Sequence, residues 1–515
     1  MLSEKPSRRG RTACGGEGVF MRFCEILSDL KILSTNITSF DFCFGKICSD
    51  TEKLKYGDVF VCRRGSHADG HDFIKKAYEN GARTFVVDRI VPYLKENPEL
   101  RYICVSDTSL AEVKMLDAAF GHPSRNMKLI GITGTNGKTS TAYMIKAIFD
   151  AAGYKTGLIG TVKTLVGSDD ITRASAASKF NWMTTPSPSE LYSVLADMSK
   201  RGTEVVVMEA SSHALAQKRL DGLRFSLGIF TNLTEDHLDF HKTFADYRAA
   251  KAHLFELSEK ALINSDSPDG KIIESGCPCR AYTYAQFSDA DFTASDTSYG
   301  EANTRFTMKY GENGENSVQI DCPIPGEFTV YNVLAAASAA KLFGLSDTVI
   351  REAFEKLPQI PGRLERVNVP VHINVFIDYA HTPDALEKAL NTLKATCRGR
   401  LITVFGCGGD REREKRPMMG RIATNISDIT VITSDNCRTE NPQKIISEIV
   451  LGAKRNSNYK VIENRKEAIR YALSVAKESD TVLLAGKGHE DYEIVGKEKR
   501  HFSERETIRD FYNKR

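Results

Sequence analysis

The sequence predicts an α/β protein of three domains with a central doubly wound sheet, and three observations carry that expectation. At 515 residues the chain is too long for one ordinary hydrophobic core, and typical domain sizes point to about three domains. From Leu110 to about Leu357 hydrophobic strands alternate with helical stretches, which is the grammar of a parallel sheet. Within that region Leu129-Ile-Gly-Ile-Thr-Gly-Thr-Asn-Gly-Lys-Thr-Ser140 sets a glycine-rich turn between a buried strand and a helix. The expected divisions are a tail over 1–20, an N-terminal domain over 21–108, a central domain over 109–358 and a C-terminal domain over 359–515.

In the glycine-rich stretch, Leu129, Ile130 and Ile132 read as the strand. Thr139 onward, with Met144, Ile145, Ile148 and Phe149, reads as the helix. This order makes a phosphate cradle. Backbone N–H groups close on phosphate oxygens, Lys138 adds positive charge, Thr139 offers a hydroxyl to Mg²⁺, and the helix N-terminus favours anions. The strict Walker spacing is not met: five residues separate Gly131 from Gly137, and Ile132 stands where that pattern puts its first glycine. A glycine turn without a ligand is the competing reading.

Hydrophobic residues make up 41% of the chain and charged residues 27%, the composition of a soluble globular protein. A net charge of +3 is small for this length and argues against nucleic acid or a membrane surface as partner. No apolar run approaches the roughly 20 residues that span a bilayer. Residues 1–20 are basic and glycine-rich and lack the apolar segment of a secretory signal. They read as a disordered tail or as an extension ahead of a start at Met21. The twelve cysteines are scattered apart from Cys277-Pro-Cys279, so reduced thiols in a cytoplasmic protein are expected.

Taken in order, Asp58-Val-Phe-Val-Cys62 and Thr84-Phe-Val-Val-Asp88 are strands flanking a helix over 72–80, which Gly81 ends. Asp50-Thr51-Glu52 is a polar loop beside them. In the central region Val205–Met208 runs into Glu209-Ala-Ser-Ser-His213, and Leu227–Phe230 runs into Thr231-Asn-Leu-Thr-Glu-Asp-His-Leu-Asp-Phe-His241. Ligands gather at the carboxyl ends of such strands, and a carboxylate there, near a phosphate loop, suits Mg²⁺. His237 and His241 offer nitrogen ligands. Each of these positions taken singly also reads as a solvated loop residue or helix cap. Residues from about 281 to 319 read as antiparallel strands hung on the sheet, and Gly326 opens an alanine-rich helix that Gly344 ends. Leu357-Pro-Gln-Ile-Pro-Gly362 reads as a linker. Beyond it, Val375–His381, Leu401–Arg411, Thr430–Asn436 and Thr481–Glu490 each place glycine or charge after a hydrophobic strand, which implies a second doubly wound domain.

Seven words of this sequence resemble the ATP-dependent Mur ligases of peptidoglycan synthesis. They are Gly134-Thr-Asn-Gly-Lys-Thr139, Glu209-Ala-Ser-Ser-His213, Asn232-Leu-Thr-Glu-Asp-His-Leu-Asp239, Ala249-Ala-Lys251, Pro361-Gly-Arg363, Asp378-Tyr-Ala-His381 and Gly486-Lys-Gly-His-Glu490. They stand in the family's order and cover nearly everything from Met21 onward. Phe405-Gly-Cys-Gly-Gly-Asp-Arg411, Lys415-Arg-Pro417 and Asp435-Asn-Cys-Arg438 look like the members that add the third peptide residue to UDP-N-acetylmuramoyl-L-alanyl-D-glutamate. Members using diaminopimelate carry Asp-Asn-Pro-Arg at the last of these, where Cys437 here replaces the proline. Arginine's fork can hold the second carboxylate that distinguishes diaminopimelate from lysine.

The resemblance implies a small N-terminal α/β domain for the uridine part, a central ATPase-like domain and a Rossmann-like C-terminal domain for the amino acid. It implies catalytic roles for Lys138, Glu209, His237 and Lys251. ATP falls to Gly134, Thr135, Asn136, Gly137, Lys138, Thr139, Ser140, Asn332, Arg363, Asp378 and His381. Mg²⁺ falls to Thr139, Glu209, His237 and Lys251, the last carbamylated by CO2. Asp50, Thr51, Thr184, Thr185, Ser211, Gln217 and Arg219 match residues that hold the UDP-sugar peptide, and Glu52 stands where an arginine is usual. Arg411, Asp435, Asn436, Arg438, Gly486 and Glu490 match the diaminopimelate site. The expected partners are these small molecules alone, with no nucleic acid and no membrane insertion, for a monomer. Three alternatives stay open: the same ligation with L-lysine, a folylpolyglutamate synthetase, and a nucleotide-binding scaffold without catalysis.

Overall fold

The computed structural model describes residues 21–27, 30–65, 68–172, 183–236 and 238–513. These fall into two compact units. Residues up to Lys128 with Thr172–Glu204 and His213–Arg224 make the first; Leu129–Ile171, Val205–Ser212 and Phe225 onward make the second.

The first unit is built on a five-stranded sheet in the order Ile32–Thr35, Arg101–Val105, Thr84–Val87, Val59–Val61, Ile47–Cys48. The last four run parallel and Ile32–Thr35 is antiparallel to its neighbour. Phe60, Ile74, Phe85, Val87, Leu94 and Leu100 form its core. The expected helix over 72–80 is an α-helix over Ile74–Glu79 preceded by a 3-10 turn, Gly70–Phe73, because Asp69 caps His71 N and draws the chain into the tighter turn. Helix Pro188–Lys200 starts at a capping box of Ser187 and Glu190 with Pro188 at its first position.

The second unit carries two sheets. The larger has eleven strands, with Thr156–Ile159, Val205–Glu209, Lys128–Thr133, Leu227–Phe230, Lys260–Asn264 and Arg280–Ala285 adjacent in that order. Thr156–Ile159 pairs in parallel with Val205–Glu209, as does Lys128–Thr133 with Leu227–Phe230 and each following strand with the next. Antiparallel strands close both ends: Thr164–Val166 and Asp169–Asp170 on one side, Phe292–Tyr299, Thr304–Tyr310 and Asn316–Cys322 on the other. Arg280–Ala285, expected to be antiparallel, pairs in parallel with both neighbours. The alanine-rich helix Glu327–Leu342 packs on Lys138–Ala151 through Val330, Val333, Leu334, Ala337, Ile145 and Ile148. Small residues on one helix face allow that close approach.

The smaller sheet has the order Glu365–Val367, Asn374–Asp378, Thr481–Ala485, Leu401–Phe405, Ile429–Ile432, Tyr459–Val461. All but the first strand are parallel. Leu386, Leu390, Met419, Ile445 and Ile449 cover one face, and Ala468, Ile469, Ala472 and Ile508 the other. The two edge strands were not legible as strands, since three residues leave no alternation to read. Among the described residues no helix is long and apolar enough to cross a membrane.

Gly420, in helix Lys415–Ile426, lies against helix Pro442–Val450 so closely that a Cβ there would collide with Ile449 O. Gly420→Val should therefore lower stability by about 1–3 kcal/mol, seen as an earlier thermal midpoint in calorimetry. An unchanged midpoint would mean that this helix pair is not close-packed.

Candidate active site

Strand Lys128–Thr133 delivers the chain to Gly134 at φ +144° and Gly137 at φ +87°, backbone that glycine adopts at little cost. Space demands glycine as well, because a Cβ at these positions would run into Thr231 Oγ1 and Asn332 Oδ1 respectively. The segment after strand Leu227–Phe230 pins the loop. Thr231 Oγ1 donates to Asn136 O (2.7 Å), Asn136 N to Asn232 Oδ1 (2.9 Å), Thr135 N to Asn232 O (2.9 Å) and Thr234 N to Thr135 Oγ1 (3.0 Å). Gly137 caps helix Lys138–Ala151 without any side-chain cap, so the first-turn N–H groups of Thr139 and Ser140 remain for an anion.

Two lysines meet at one oxygen of this loop. Lys138 Nζ donates to Gly134 O (2.9 Å) and Thr135 O (2.8 Å), and Lys251 Nζ donates to the same Gly134 O (2.8 Å). Lys251 comes from helix Phe244–Glu256, is 1% exposed, and lies 4.3 Å from the Tyr247 ring centroid. Among the described residues no carboxylate pairs with either lysine. Burial, reinforced by the charge of Lys138, pushes the Lys251 amine well below its ordinary range. Burial also lowers Lys138, with Glu209 and Asp236 working the other way. Lys251 is thus inclined to the neutral amine, the form that is nucleophilic.

Glu209 ends strand Val205–Glu209 and is buried. Its Oε1 accepts from Thr139 Oγ1 (3.0 Å) and Thr161 N (2.9 Å), and its Oε2 from Thr161 Oγ1 (3.1 Å). A Cβ at Gly160 would strike this carboxylate. Thr161 has no sequence signal of its own; only the neighbouring glycine hints at a close approach. His237 lies outside the described residues. His241, the other candidate nitrogen ligand, is buried with its ring against Phe240 and Tyr247, at centroid distances of 4.8 and 5.0 Å. Among the described residues no three His, Cys, Asp or Glu side chains form a ready metal cage. The donors at Thr139 and Glu209 are nevertheless hard oxygens beside a phosphate loop, and Mg²⁺ binds through one or two carboxylates plus substrate phosphates. The residues fit that ion.

Residues of the smaller sheet reach the loop. Arg363 Nη2 donates to Thr139 Oγ1 (3.0 Å), its guanidinium carbon lies 5.0 Å from the Tyr379 ring centroid, and Asn136 Nδ2 donates to Asp384 Oδ2 (2.7 Å). Asp378 accepts from Leu364 N (2.6 Å) and Ala380 N (2.7 Å), and burial raises its carboxyl. His381 Nδ1 is 2.8 Å from Tyr379 O. Asn332, on helix Glu327–Leu342, is buried and accepts from Thr141 Oγ1 at 3.4 Å. The structure therefore gathers Gly134 to Ser140, Glu209, Lys251, Asn332 and Arg363 around one loop, while Asp378 works through the backbone that follows Arg363.

A second cluster sits at the carboxyl ends of strands Leu401–Phe405, Ile429–Ile432 and Thr481–Ala485. Asn436 Nδ2 donates to Glu490 Oε2 (2.8 Å). Gly486, at φ +115°, leaves room for Asp435, whose Oδ2 would lie 2.6 Å from a Cβ there. Arg438 sits at φ +50°, held by Arg438 N to Ile494 O (3.0 Å) and Gly496 N to Arg438 O (2.7 Å). Its Nη1 donates to Gly409 O (2.8 Å) and Asn436 O (3.4 Å), and among the described residues no carboxylate pairs with it. Arg411 Nη1 donates to Asp410 O (2.9 Å). Cys437, expected from the resemblance to replace a proline, is buried in the core of this face, so packing holds the loop. Arg416, which the sequence marked only as part of the word Lys415-Arg-Pro417 and gave no role, is 0% exposed. It donates to both oxygens of Glu440, to Glu448 and to Gly408 O. Glu440 in turn accepts from Asp410 N (2.6 Å), so one buried arginine joins the loops that carry Arg411 and Arg438.

In the first unit, Arg219 donates to Thr185 O (3.1 Å) and, through Nε and Nη2, to Gln217 Oε1 (2.9 and 2.6 Å). Burial and the neighbouring Arg63 bring Arg219 down to about 10. Arg63, which has no motif to mark it, donates to Gln217 O (2.6 Å) and pairs with buried Glu112 (3.0 Å). Asp50 caps the 3-10 turn Thr51–Lys53 by accepting from Glu52 N (3.0 Å), and Thr51 O accepts from Asn80 Nδ2 (2.9 Å). Thr184 precedes Thr185 in the bend before helix Pro188–Lys200. Ser211 belongs to the second unit, just after Glu209.

Three family descriptions match this chain: Mur ligase family, catalytic domain, over 46–113; Mur ligase middle domain over 132–340; and Mur ligase, glutamate ligase domain, over 362–488. The chain belongs to the Mur ligase family. It is similar to the UDP-N-acetylmuramoyl-L-alanyl-D-glutamate--2,6-diaminopimelate ligase of Clostridium botulinum, with 43% identity over 465 residues, 90% of this chain and 94% of that one. The ligase of the same name from Clostridium tetani is 40% identical over 494 residues, 95% of this chain and 99% of its own. A solved structure of a ligase of that name superposes with a TM-score of 0.65 at 28% identity, covering 96% of this chain and 99% of the other. The glycine loop, Glu209 and the buried Lys251 all fall within the matched middle domain of this Mur ligase.

If the loop is the nucleotide site, Gly137→Ala should weaken ATP binding by about tenfold or more, since left-handed backbone strain of about 1–3 kcal/mol adds to the collision with Asn332. Titration with a fluorescent ATP analogue measures this. Wild-type affinity in the variant would put the nucleotide elsewhere.

Proposed function

We propose that this Mur ligase joins meso-2,6-diaminopimelate to the D-glutamate γ-carboxylate of UDP-N-acetylmuramoyl-L-alanyl-D-glutamate, with cleavage of ATP to ADP and phosphate, in peptidoglycan synthesis. The observation that carries the choice of amino acid is Arg438. Its guanidinium donates to the Gly409 and Asn436 carbonyls, among the described residues pairs with no carboxylate, and belongs to the loop whose Asn436 side chain bonds Glu490. A cation next to acceptors for an ammonium matches the second amino-acid head of diaminopimelate, which lysine lacks. The names of the relatives point the same way.

On this reading the glutamyl γ-carboxylate attacks the γ-phosphate of ATP to give an acyl phosphate and ADP. The diaminopimelate amine then attacks the acyl carbon, and phosphate leaves from the tetrahedral intermediate. Such transfer depends on positioning and charge neutralisation more than on acid–base work. Gly134, Thr135, Asn136, Gly137, Thr139 and Ser140 hold the phosphates, Lys138 neutralises them, and Asn332, Arg363, Asp378 and His381 set the nucleotide. Thr139, Glu209 and His237 would hold Mg²⁺, which would supply further charge neutralisation when bound. Lys251, its amine lowered by burial, would take up CO2 as a carbamate and so offer an anionic oxygen toward that ion. The diaminopimelate residues are Arg411, Asp435, Asn436, Arg438, Gly486 and Glu490. Asp50, Thr51, Thr184, Thr185, Ser211, Gln217 and Arg219 hold the UDP-sugar peptide. The divisions near residues 108 and 358 then separate uridine, ATP and amino-acid functions. Free cysteine thiols accord with a cytoplasmic enzyme, which we take to be a monomer.

Phosphate release with ATP, Mg²⁺ and the UDP-muramoyl dipeptide should be strong with meso-diaminopimelate and weak with L-lysine. Arg438→Ala should lower kcat/KM for diaminopimelate by about 10–100-fold. A wild-type preference for lysine would overturn the assignment of Arg438, and release with neither would overturn the ligase reading.

A further inference from the structure

Lys487 is not among the residues assigned to a substrate, yet its side chain is 0% exposed. Its Nζ is 2.9 Å from Asn436 Oδ1, 2.9 Å from Tyr492 O, and 3.5 Å from both Asp435 Oδ1 and Glu490 Oε2. Every protein acceptor around this ammonium is therefore a residue of the amino-acid cluster or the backbone just beyond it. An ammonium only donates and an amide has one end of each kind. Asn436 Oδ1, taking hydrogen bonds from Lys487 and from Ile494 N (2.9 Å), is fixed as the inward end, which turns Nδ2 toward Glu490 Oε2.

The charges around this point can be followed one by one. Asp435 and Glu490 contribute two negative charges when ionised and Lys487 one positive. Arg465 pairs with Glu504 (2.8 Å) and lies 3.9 Å from Asp435. Tyr492 donates to Glu490 Oε1 (3.4 Å), Tyr379 stands near both carboxylates, and Arg363 and Arg438 both act on Tyr379 as cations. With the Arg465–Glu504 pair cancelling, the ionised carboxylates and Lys487 leave one net negative charge, enough for one ammonium, with arginines nearby for a carboxylate. That arrangement complements one zwitterionic amino-acid head.

We infer that Lys487 is a positioning residue of the amino-acid pocket, orienting the Asn436 amide and setting the pocket's charge so that it receives a single ammonium–carboxylate head. The inference rests on the proposed reading of Asp435, Asn436, Arg438 and Glu490 as that pocket. Electrostatics accords with it. Burial opposes ionisation of Asp435, yet Lys487 and Arg465 hold its carboxyl below the usual range. Burial and the nearby Asp435 raise Glu490, against the pull of Lys487. Removing the lysine removes a charge that favours both carboxylates, so both would protonate at higher pH.

The test compares wild type with Lys487→Met in steady-state kinetics, using meso-diaminopimelate, ATP and the UDP-muramoyl dipeptide as varied substrates from pH 6 to 9. The expected result is a KM for diaminopimelate raised by about tenfold or more, with the KM for ATP within about twofold of wild type. The acid limb of kcat/KM for diaminopimelate should move up by about one pH unit or more. Unchanged KM and pH profile, or equal losses toward ATP and diaminopimelate in a folded variant, would overturn the inference. If Lys487→Met does not fold, Lys487→Arg carries the test, since it keeps the charge and changes the geometry. It should raise the KM for diaminopimelate while leaving the acid limb in place, and an unchanged KM would overturn the inference. Wild type that fails to use diaminopimelate overturns the proposed function itself. Wild type that uses it while the variants keep its KM overturns only the role of Lys487.

Discussion

Two buried lysine side chains donating to one peptide carbonyl, that of Gly134, make the constraint on which the second unit depends. Two like charges brought together out of water cost several kcal/mol unless an anion joins them or one gives up its proton. Both remedies follow from the local chain. The uncapped first turn of helix Lys138–Ala151 and the glycines at positive φ shape a seat for phosphate oxygens. Burial of Lys251 against Tyr247 lowers its amine, the condition for reaction with CO2. The eleven-stranded sheet supplies the rigid frame: the loop, Glu209 and the Thr231–Thr234 segment leave three neighbouring strands at the same end.

The smaller sheet is tied into this arrangement through side chains that each serve two masters. Arg363 reaches the Thr139 hydroxyl while lying against Tyr379, and Asp384 holds Asn136 while pairing with Lys388. Thr139 thereby contacts both Glu209 and Arg363. On the proposed mechanism this ties the metal-binding hydroxyl to the domain that holds the amino acid, so that a nucleotide in the loop is sensed by the sheet that carries Arg438. Buried arginines do the corresponding work within that sheet. Arg416 binds the loops of Arg411 and Arg438 together, and Arg465 joins Ala485 O, Ser434 O and Glu504. Each is paired with carboxylates, buried Glu504 for Arg465 and half-buried Glu440 and Glu448 for Arg416, so neither charge is left uncompensated.

What the sequence made legible were the features with a local cause. Alternating strands and helices announced two doubly wound sheets, and the strand–glycine–helix order announced the loop, because backbone at positive φ next to a phosphate site has few other solutions. Glu209 was readable as a charge at the end of an apolar strand. Lys251 was not: a lysine in a helix of modest amphipathicity looks solvated, and only the family resemblance drew attention to it before the fold showed it buried. Thr161 and Arg63 escaped notice because their partners lie far away along the chain, and Arg416 and Lys487, though inside quoted words, were given no role because nothing local shows their distant partners. Arg63 meets Glu112 and Gln217, and Lys487 meets residues 435 and 436. The direction of Arg280–Ala285 and the edge strands Glu365–Val367 and Tyr459–Val461 were equally hidden, since pairing direction and three-residue strands leave no periodicity.

The most direct test of this account is whether Lys251 carries CO2. Carbon-13 NMR of the enzyme equilibrated with ¹³C-bicarbonate near pH 8 should show one carbamate carbon in slow exchange, sharpened by Mg²⁺ and ATP and absent from Lys251→Ala. A spectrum without that signal, or one in which the variant shows it as strongly as wild type, would mean that the second buried lysine remains an amine. The pairing of charges proposed around Gly134 would then be wrong.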